Sequence, residues 1–175
     1  MKIYNRAPQF VNTRASNIIH RFHPDHKTAG TTVDFLFVSA GEDEPAVMLH
    51  GHACYATIRI TSAKERALGH ADAEMLIDKA KYEEMTSEVQ DALLDHEIYH
   101  LEVAKDKYGA FEVDDHRRPK LKMRMHDREF GWFDAIAKRH GGNSIEVQQA
   151  RLFHRQAGQV YFEFDDSHEE APNLH

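Results

Sequence analysis

Apolar residues recur at spacings of three and four in some stretches of this chain and alternate with polar ones in others, which sorts it into helices and strands. Residues 8–22 (PQFVNTRASNIIHRF) read as an amphipathic helix with Phe10, Ile18, Ile19 and Phe22 inward, closed by His23-Pro24-Asp25-His26. Residues 33–38 (VDFLFV) suit a buried strand, and residues 39–45 an acidic, glycine-containing turn. Residues 47–49 and 55–60 (YATIRI) read as strands, and 73–77 (AEMLI) as a short or edge strand, with one helical turn at 81–85. A longer helix spans 86–108, since no Pro or Gly interrupts it and Gly109 stops it. Thr86 or Ser87 can cap this helix, and Val89, Ala92, Leu93, His96, His100 and Val103 share one face. Residues 111–113 suit a short strand and 114–125 a charged, irregular segment. Residues 128–139 form a second helix with Phe130, Phe133, Ile136 and Ala137 inward. Gly141-Gly142 ends it, and Ser144 caps a further helix to about residue 154. Residues 160–164 (VYFEF) look strand-like.

The order of elements implies an α+β fold: a small, mostly antiparallel sheet with helices packed on it. The length of 175 residues suits one domain over 1–164, followed by an acidic, frayed tail at 165–175. Apolar residues at 41% and charged ones at 29% describe a soluble globular chain. The formal net charge of −7 gives no general attraction to nucleic acid. The single cysteine, Cys54, excludes an internal disulfide framework and a cysteine-rich zinc site, and reads as a core residue. No stretch is apolar enough for a membrane span or a signal peptide, so a cytoplasmic location is expected.

The long helix carries His96-Glu97-Ile98-Tyr99-His100, an H-E-x-x-H pattern. With 14 histidines in the chain, three fixed positions can match by chance, so context decides. Residues four apart lie on one helical face, so His96 and His100 can offer two imidazoles to one Zn²⁺. Both sit on the apolar face, where unpartnered ring nitrogens would be costly and a metal would satisfy them. Glu97 projects beside that face, placed to take a proton from zinc-activated water and return it to a leaving amine. Helix, strands, motif helix and second helix are also the minimal layout of a zincin-type catalytic domain. There an edge strand aligns an extended peptide substrate; here the candidate is residues 73–77.

The segments ALLDHEIYHLEV (92–103), DDHRRPKLKMRMHD (114–127) and FGWFDAIAKRHG (130–141) together resemble the phage metallopeptidases, small zincin-like proteins of phage and prophage genomes. The stretch 71–90 also resembles the strand leading into that family's motif helix, and the likeness covers roughly residues 30–150. It implies a zinc-dependent peptidase acting in a phage or its bacterial host cell, and names no substrate. A catalytic zinc needs a third protein ligand. The metzincin extension is absent after His100, so the ligand must come from further on. His126, read as beginning the second helix within the segment the resemblance highlights, is the leading candidate. Glu129 is the alternative, Asp127 a carboxylate to orient a ligating imidazole, and Asp115 and His116 are weaker choices. Tyr99, Tyr108, Arg124 and His140 are candidates for stabilising an oxyanion.

Other clusters have plainer readings. His20, His23 and His26 could form a second metal site, but Pro24 breaks the spacing, which favours a polar helix end. His50-Gly51-His52 reads as a loop. Arg117, Arg118, Lys120, Lys122 and Arg124 form one basic patch, for which a solvated or intramolecular role is expected because no aromatics interleave it. The expected function is peptide-bond hydrolysis with one Zn²⁺ held by His96, His100 and His126, Glu97 as general base and acid, and a peptide or protein as substrate. The rivals are a non-enzymatic zinc protein serving a phage as inhibitor or adaptor, and a nucleic-acid-associated protein using the basic patch.

Overall fold

A computed structural model describes residues 1–41, 44–126 and 132–156. In chain order the elements are β1 (Ile3–Arg6), α1 (Gln9–Phe22), α2 (Pro24–Ala29), β2 (Val33–Ser39), β3 (Met48–Leu49), β4 (His52–Ala53), β5 (Ala56–Ile60) and α3 (Ala63–Ala67). They continue with β6 (Ala73–Asp78), α4 (Lys79–Glu84), α5 (Ser87–Tyr99), β7 (Leu101–Val103), β8 (Leu121–Met123), α6 (Asp134–His140) and α7 (Ile145–Gln156). The fold is α+β, as the patterning implies. The main sheet runs β1-β2-β6-β5, with β1–β2 and β5–β6 antiparallel and β2–β6 parallel.

One face of that sheet is the core. Phe35, Phe37, Ala56, Ile58, Ala73, Met75 and Ile77 alternate inward and meet Val11, Ala15 and Ile18 of α1 and Leu93, Leu94 and Ile98 of α5. The inward face of α1 is therefore Val11, Ala15 and Ile18, while Phe10, expected inside, is 51% exposed. A smaller cluster of Val38, Ala46 and Val47, with half-buried Cys54 and Leu76, lies on the other side under the β3–β4 hairpin. No described helix is long and apolar enough to cross a membrane.

Four expectations are corrected. The strand at 73–77 is not an edge: β6 is hydrogen-bonded on both sides, and the edges are β1 and, next to β6, β5. Arg59 on β5 stands directly opposite Glu74 of β6 and bonds it at 2.9 Å. The helix expected to reach Tyr108 ends at Tyr99, with His100 as its cap, and the chain turns at once into β7. Long-range pairing with β8 overrides local helix propensity there. The second helix begins at Asp134, not near residue 128, so His126 precedes it in extended chain after β8. The segment 114–125 is not wholly irregular, since β8 lies within it. Four elements are additional: β1, α2 with Pro24 in its first turn, β4, which takes His52 out of the expected loop, and α3, whose Ser62–Glu65 capping box was present in the sequence. Phe130, residues 160–164 and the tail at 165–175 lie outside the described residues.

The arm between β7 and β8 is tied back to the sheet by ion pairs. Asp72 accepts Arg118 Nε at 2.9 Å and the Thr32 amide and hydroxyl at 2.8 Å each, while Arg66 reaches Asp114 at 2.7 Å and Asp72 at 3.7 Å. Both Asp72 and Arg66 are buried, so each needs the other members of the group. Asp72→Ala is expected to lower the unfolding free energy by about 3–5 kcal/mol, because it takes from Arg118 its carboxylate and from Arg66 one of two. Arg59→Ala, on the exposed ladder, should cost under about 1 kcal/mol. Urea denaturation of the two variants measures the contrast; equal losses would show that the arm is not held this way.

Candidate metal centre

Helix α5 positions the motif. Asp95, His96 and Glu97 are all buried, in the middle of a helix enclosed on most sides. His96 and His100 face the same way, with ring centroids 5.2 Å apart. His126 arrives from the other end of β8 and places its Nε2 3.4 Å from His96 Nε2. One ligand atom from each of His96, His100 and His126 lies within 4.8 Å of the others, and this is the one such group of three found among the described residues.

The rings are held from behind. His96 Nδ1 hydrogen-bonds Glu146 Oε1 at 2.7 Å, from the first turn of α7. His100 Nδ1 donates to the Arg124 carbonyl at 3.0 Å, and the Arg124 amide donates to the His100 carbonyl at 2.6 Å. With both Nδ1 atoms engaged, each ring turns its Nε2 outward, the arrangement typical of histidines that bind a metal. Phe133 is fully buried and packs on all three rings, at centroid distances of 5.1, 4.9 and 4.8 Å from His96, His100 and His126.

The residues present fit a divalent cation. Two nitrogens on one tetrahedral zinc at ~2.0–2.1 Å stand about 3.3–3.4 Å apart, which is the spacing of His96 and His126. Glu97 and Glu146 are buried acids, no described Lys or Arg pairs with either, and Glu146 Oε2 has no hydrogen-bond partner. Burial pushes Glu97 up to about 7 against the opposing pull of His96 and the Ile58 amide, with Glu146 adding to the rise. Burial opposes charge on His96, but the Glu146 hydrogen bond and the charges of Glu97, Glu146 and Asp95 outweigh it and hold the ring above its ordinary value. Burial lowers His100 to about 4, so its ring is neutral near pH 7, the form that binds metals. Cys54, expected in the core, is half-buried beside the smaller cluster, and burial, then the charges of Glu97 and Asp78, push it up to about 11.

A second buried group lies about 100° around α5 from the histidines. Asp95 is fully buried and accepts His23 Nε2 and His140 Nε2 at 2.7 Å each, and a short hydrogen bond from Arg139 Nη1. Burial alone would raise its pKa; these three partners hold the carboxyl well below the usual carboxylate range.

Other candidates are placed elsewhere. Asp127 and Glu129 lie outside the described residues, and it is Glu146 that orients His96. Asp115 and His116 are exposed in the arm. Tyr108 is 81% exposed, His140 is taken by Asp95, and Arg124 stacks over Tyr99 at 4.2 Å and lies 3.7 Å from Glu102. His20, His23 and His26 do not converge: His20 is exposed, His23 bonds Asp95, and His26 bonds the Leu101 carbonyl at 2.9 Å. His50 and Gly51 form the turn of the β3–β4 hairpin, both at positive φ. Within the basic patch, Arg118 is bound to Asp72, Lys120 lies 3.8 Å from Glu112, and Arg117 and Lys122 are exposed. Sequence reasoning missed Glu146, Asp95 and Arg139. Each acts on a partner at least 44 residues away, so no local spacing marks it.

No curated protein and no solved structure matches the chain. The profile of the family described as "Putative phage metallopeptidase" matches residues 2–154, a span that contains the three converging histidines, Glu97 and Glu146. The chain belongs to that phage metallopeptidase family.

Proposed function

We propose that this protein is a zinc-dependent peptidase. Family membership implies a metal ion. The observation that carries the finer reading is the convergence of three imidazoles, two of them fixed through Nδ1, next to a buried glutamate. His96, His100 and His126 would hold the zinc. When bound, the ion supplies Lewis acidity toward a water molecule and a scissile carbonyl. Glu97 takes the proton of the attacking water, keeps it in a site shielded from solvent, and delivers it to the leaving amine. Glu146 holds the His96 tautomer, and the Arg124 carbonyl holds that of His100. Phe133 keeps water away from the inner side of the rings.

Substrate alignment falls to β5, not β6. The Tyr55 carbonyl and Thr61 amide point to β6, so by alternation the N–H and C=O groups of Ala56, Ile58 and Ile60 point to the open side. Ile58 N–H acts on Glu97, which puts this edge beside the catalytic carboxylate. An extended peptide would pair with the remaining groups of the edge.

Purified protein is expected to hold one equivalent of zinc by elemental analysis, lost in His96→Ala and in His126→Ala. Glu97→Gln should keep the zinc and lose about 10²–10⁴-fold in kcat on a peptide-library substrate. Retained zinc with no cleavage of any peptide by the parent protein would instead mark a non-enzymatic zinc protein. Absence of zinc under loading conditions would overturn the reading. Glu146→Gln is expected to weaken zinc binding about 10–100-fold, read by chelator competition.

A further inference from the structure

The buried group around Asp95 makes no contact with the metal-ligating nitrogens, yet it sits where the surroundings of those nitrogens are decided. Its partners come from three places. His23 is the junction of α1 and α2, Asp95 is on α5, and Arg139 and His140 form the last turn of α6. Arg139 also lies over the Phe22 ring at 4.4 Å and within 6.0 Å of the Tyr99 ring, and Tyr99 in turn packs on Phe133 at 4.9 Å.

The chain order gives this pin its reach. Phe133 caps the start of α6, and Glu146 follows α6 by a single 3-10 turn. The residues bound by Asp95 therefore lie between the aromatic floor under all three rings and the carboxylate that fixes His96. A helix of seven residues is a rigid body about 10 Å long, so pinning its last turn sets the position of its first. The same pin fixes the point from which the chain enters α7. Asp95 itself is one residue before His96 and is held from both sides, by α1–α2 and by α6.

We propose that Asp95 is the positioning residue of the metal centre: acting through Arg139 and His140, it places Phe133 and Glu146 and so sets the geometry and affinity with which the three histidines take a metal. This rests on the metal-site reading above. The role needs a buried carboxylate with both oxygens in use. Oδ1 accepts from His23 and Oδ2 from Arg139 and His140, so an amide, which offers one acceptor, can satisfy only part of the group.

The test uses cobalt(II) as probe, titrated into the full-length protein and its Asp95→Asn, Arg139→Met and His140→Gln variants. Folding is checked by circular dichroism, and cobalt coordination by visible absorption. Asp95→Asn is expected to weaken cobalt binding about 10–100-fold and to change the intensity of the visible bands, with Arg139→Met moving the same way. Combined with Glu146→Gln, its effect should be less than additive, since both act through the same imidazole. A folded Asp95→Asn protein with parental affinity and spectrum would overturn the proposal. If Asp95→Asn does not fold, Arg139→Met and His140→Gln carry the same test, and parental spectra in both would overturn it. A readout without metal separates this idea from the metal-site reading. In imidazole ¹⁵N NMR of the metal-free protein, the His96 Nδ1–H bonded to Glu146 should give a protected signal in the parent and lose its protection in Asp95→Asn. Loss of that signal would support the positioning role even if the parent bound no cobalt, and its persistence in Asp95→Asn would count against the role.

Discussion

The end of α5 depends on one reciprocal interaction, the pair of hydrogen bonds between His100 and Arg124 at backbone level and through the His100 ring. The sequence offers the helix no reason to stop at this point. The Arg124 amide takes the carbonyl of His100, and its carbonyl takes the His100 ring. The next three residues then pair with β8 as Leu101↔Met123, Glu102↔Lys122 and Val103↔Leu121. That pairing carries His126 back to the helix it would otherwise never meet. Stopping the helix, fixing one imidazole and delivering another are thus a single structural event.

The second constraint is the burial of charge. Asp72, Asp95, Glu97 and Glu146 are all buried, and each is satisfied differently. Asp72 has two guanidinium groups and a threonine, and serves the arm. Asp95 has one guanidinium and two imidazoles, and serves the helices. Among the described residues, Glu97 and Glu146 have no cationic partner other than histidine. Isolated carboxylates are too costly to bury without compensation, and at the two acids left without a described Arg or Lys the proposed metal would supply that compensation.

Much of this was legible in sequence, and the misses have physical causes. His96, Glu97 and His100 could be read together because a helix converts a spacing of four into adjacency. The core strands could be read because alternation with period two survives any arrangement of the sheet. Which strand stands at the edge was not readable, because it is decided by pairings between distant segments, β2 with β6 and β5 with β6. The strand β7 was hidden because Leu101, Glu102 and Val103 fit a helical face as well as a ribbon. Glu146 carries no signal in the sequence beyond an acid in a helix's first turn, and only the packing of α7 on α5 turns it toward His96.

The separation between His96 and Glu146 bears on biosynthesis. The two residues lie 50 positions apart, while the sheet and α5 are complete in the sequence well before α7. A domain folds as a unit once its chain has left the ribosome. Ile145, at the start of α7, belongs to the same core cluster as the sheet and α5, so that core is complete only when α7 has been made. Seating Ile145 and turning Glu146 toward His96 then fall in one step, and the H-E-x-x-H segment gains its tether as the domain closes.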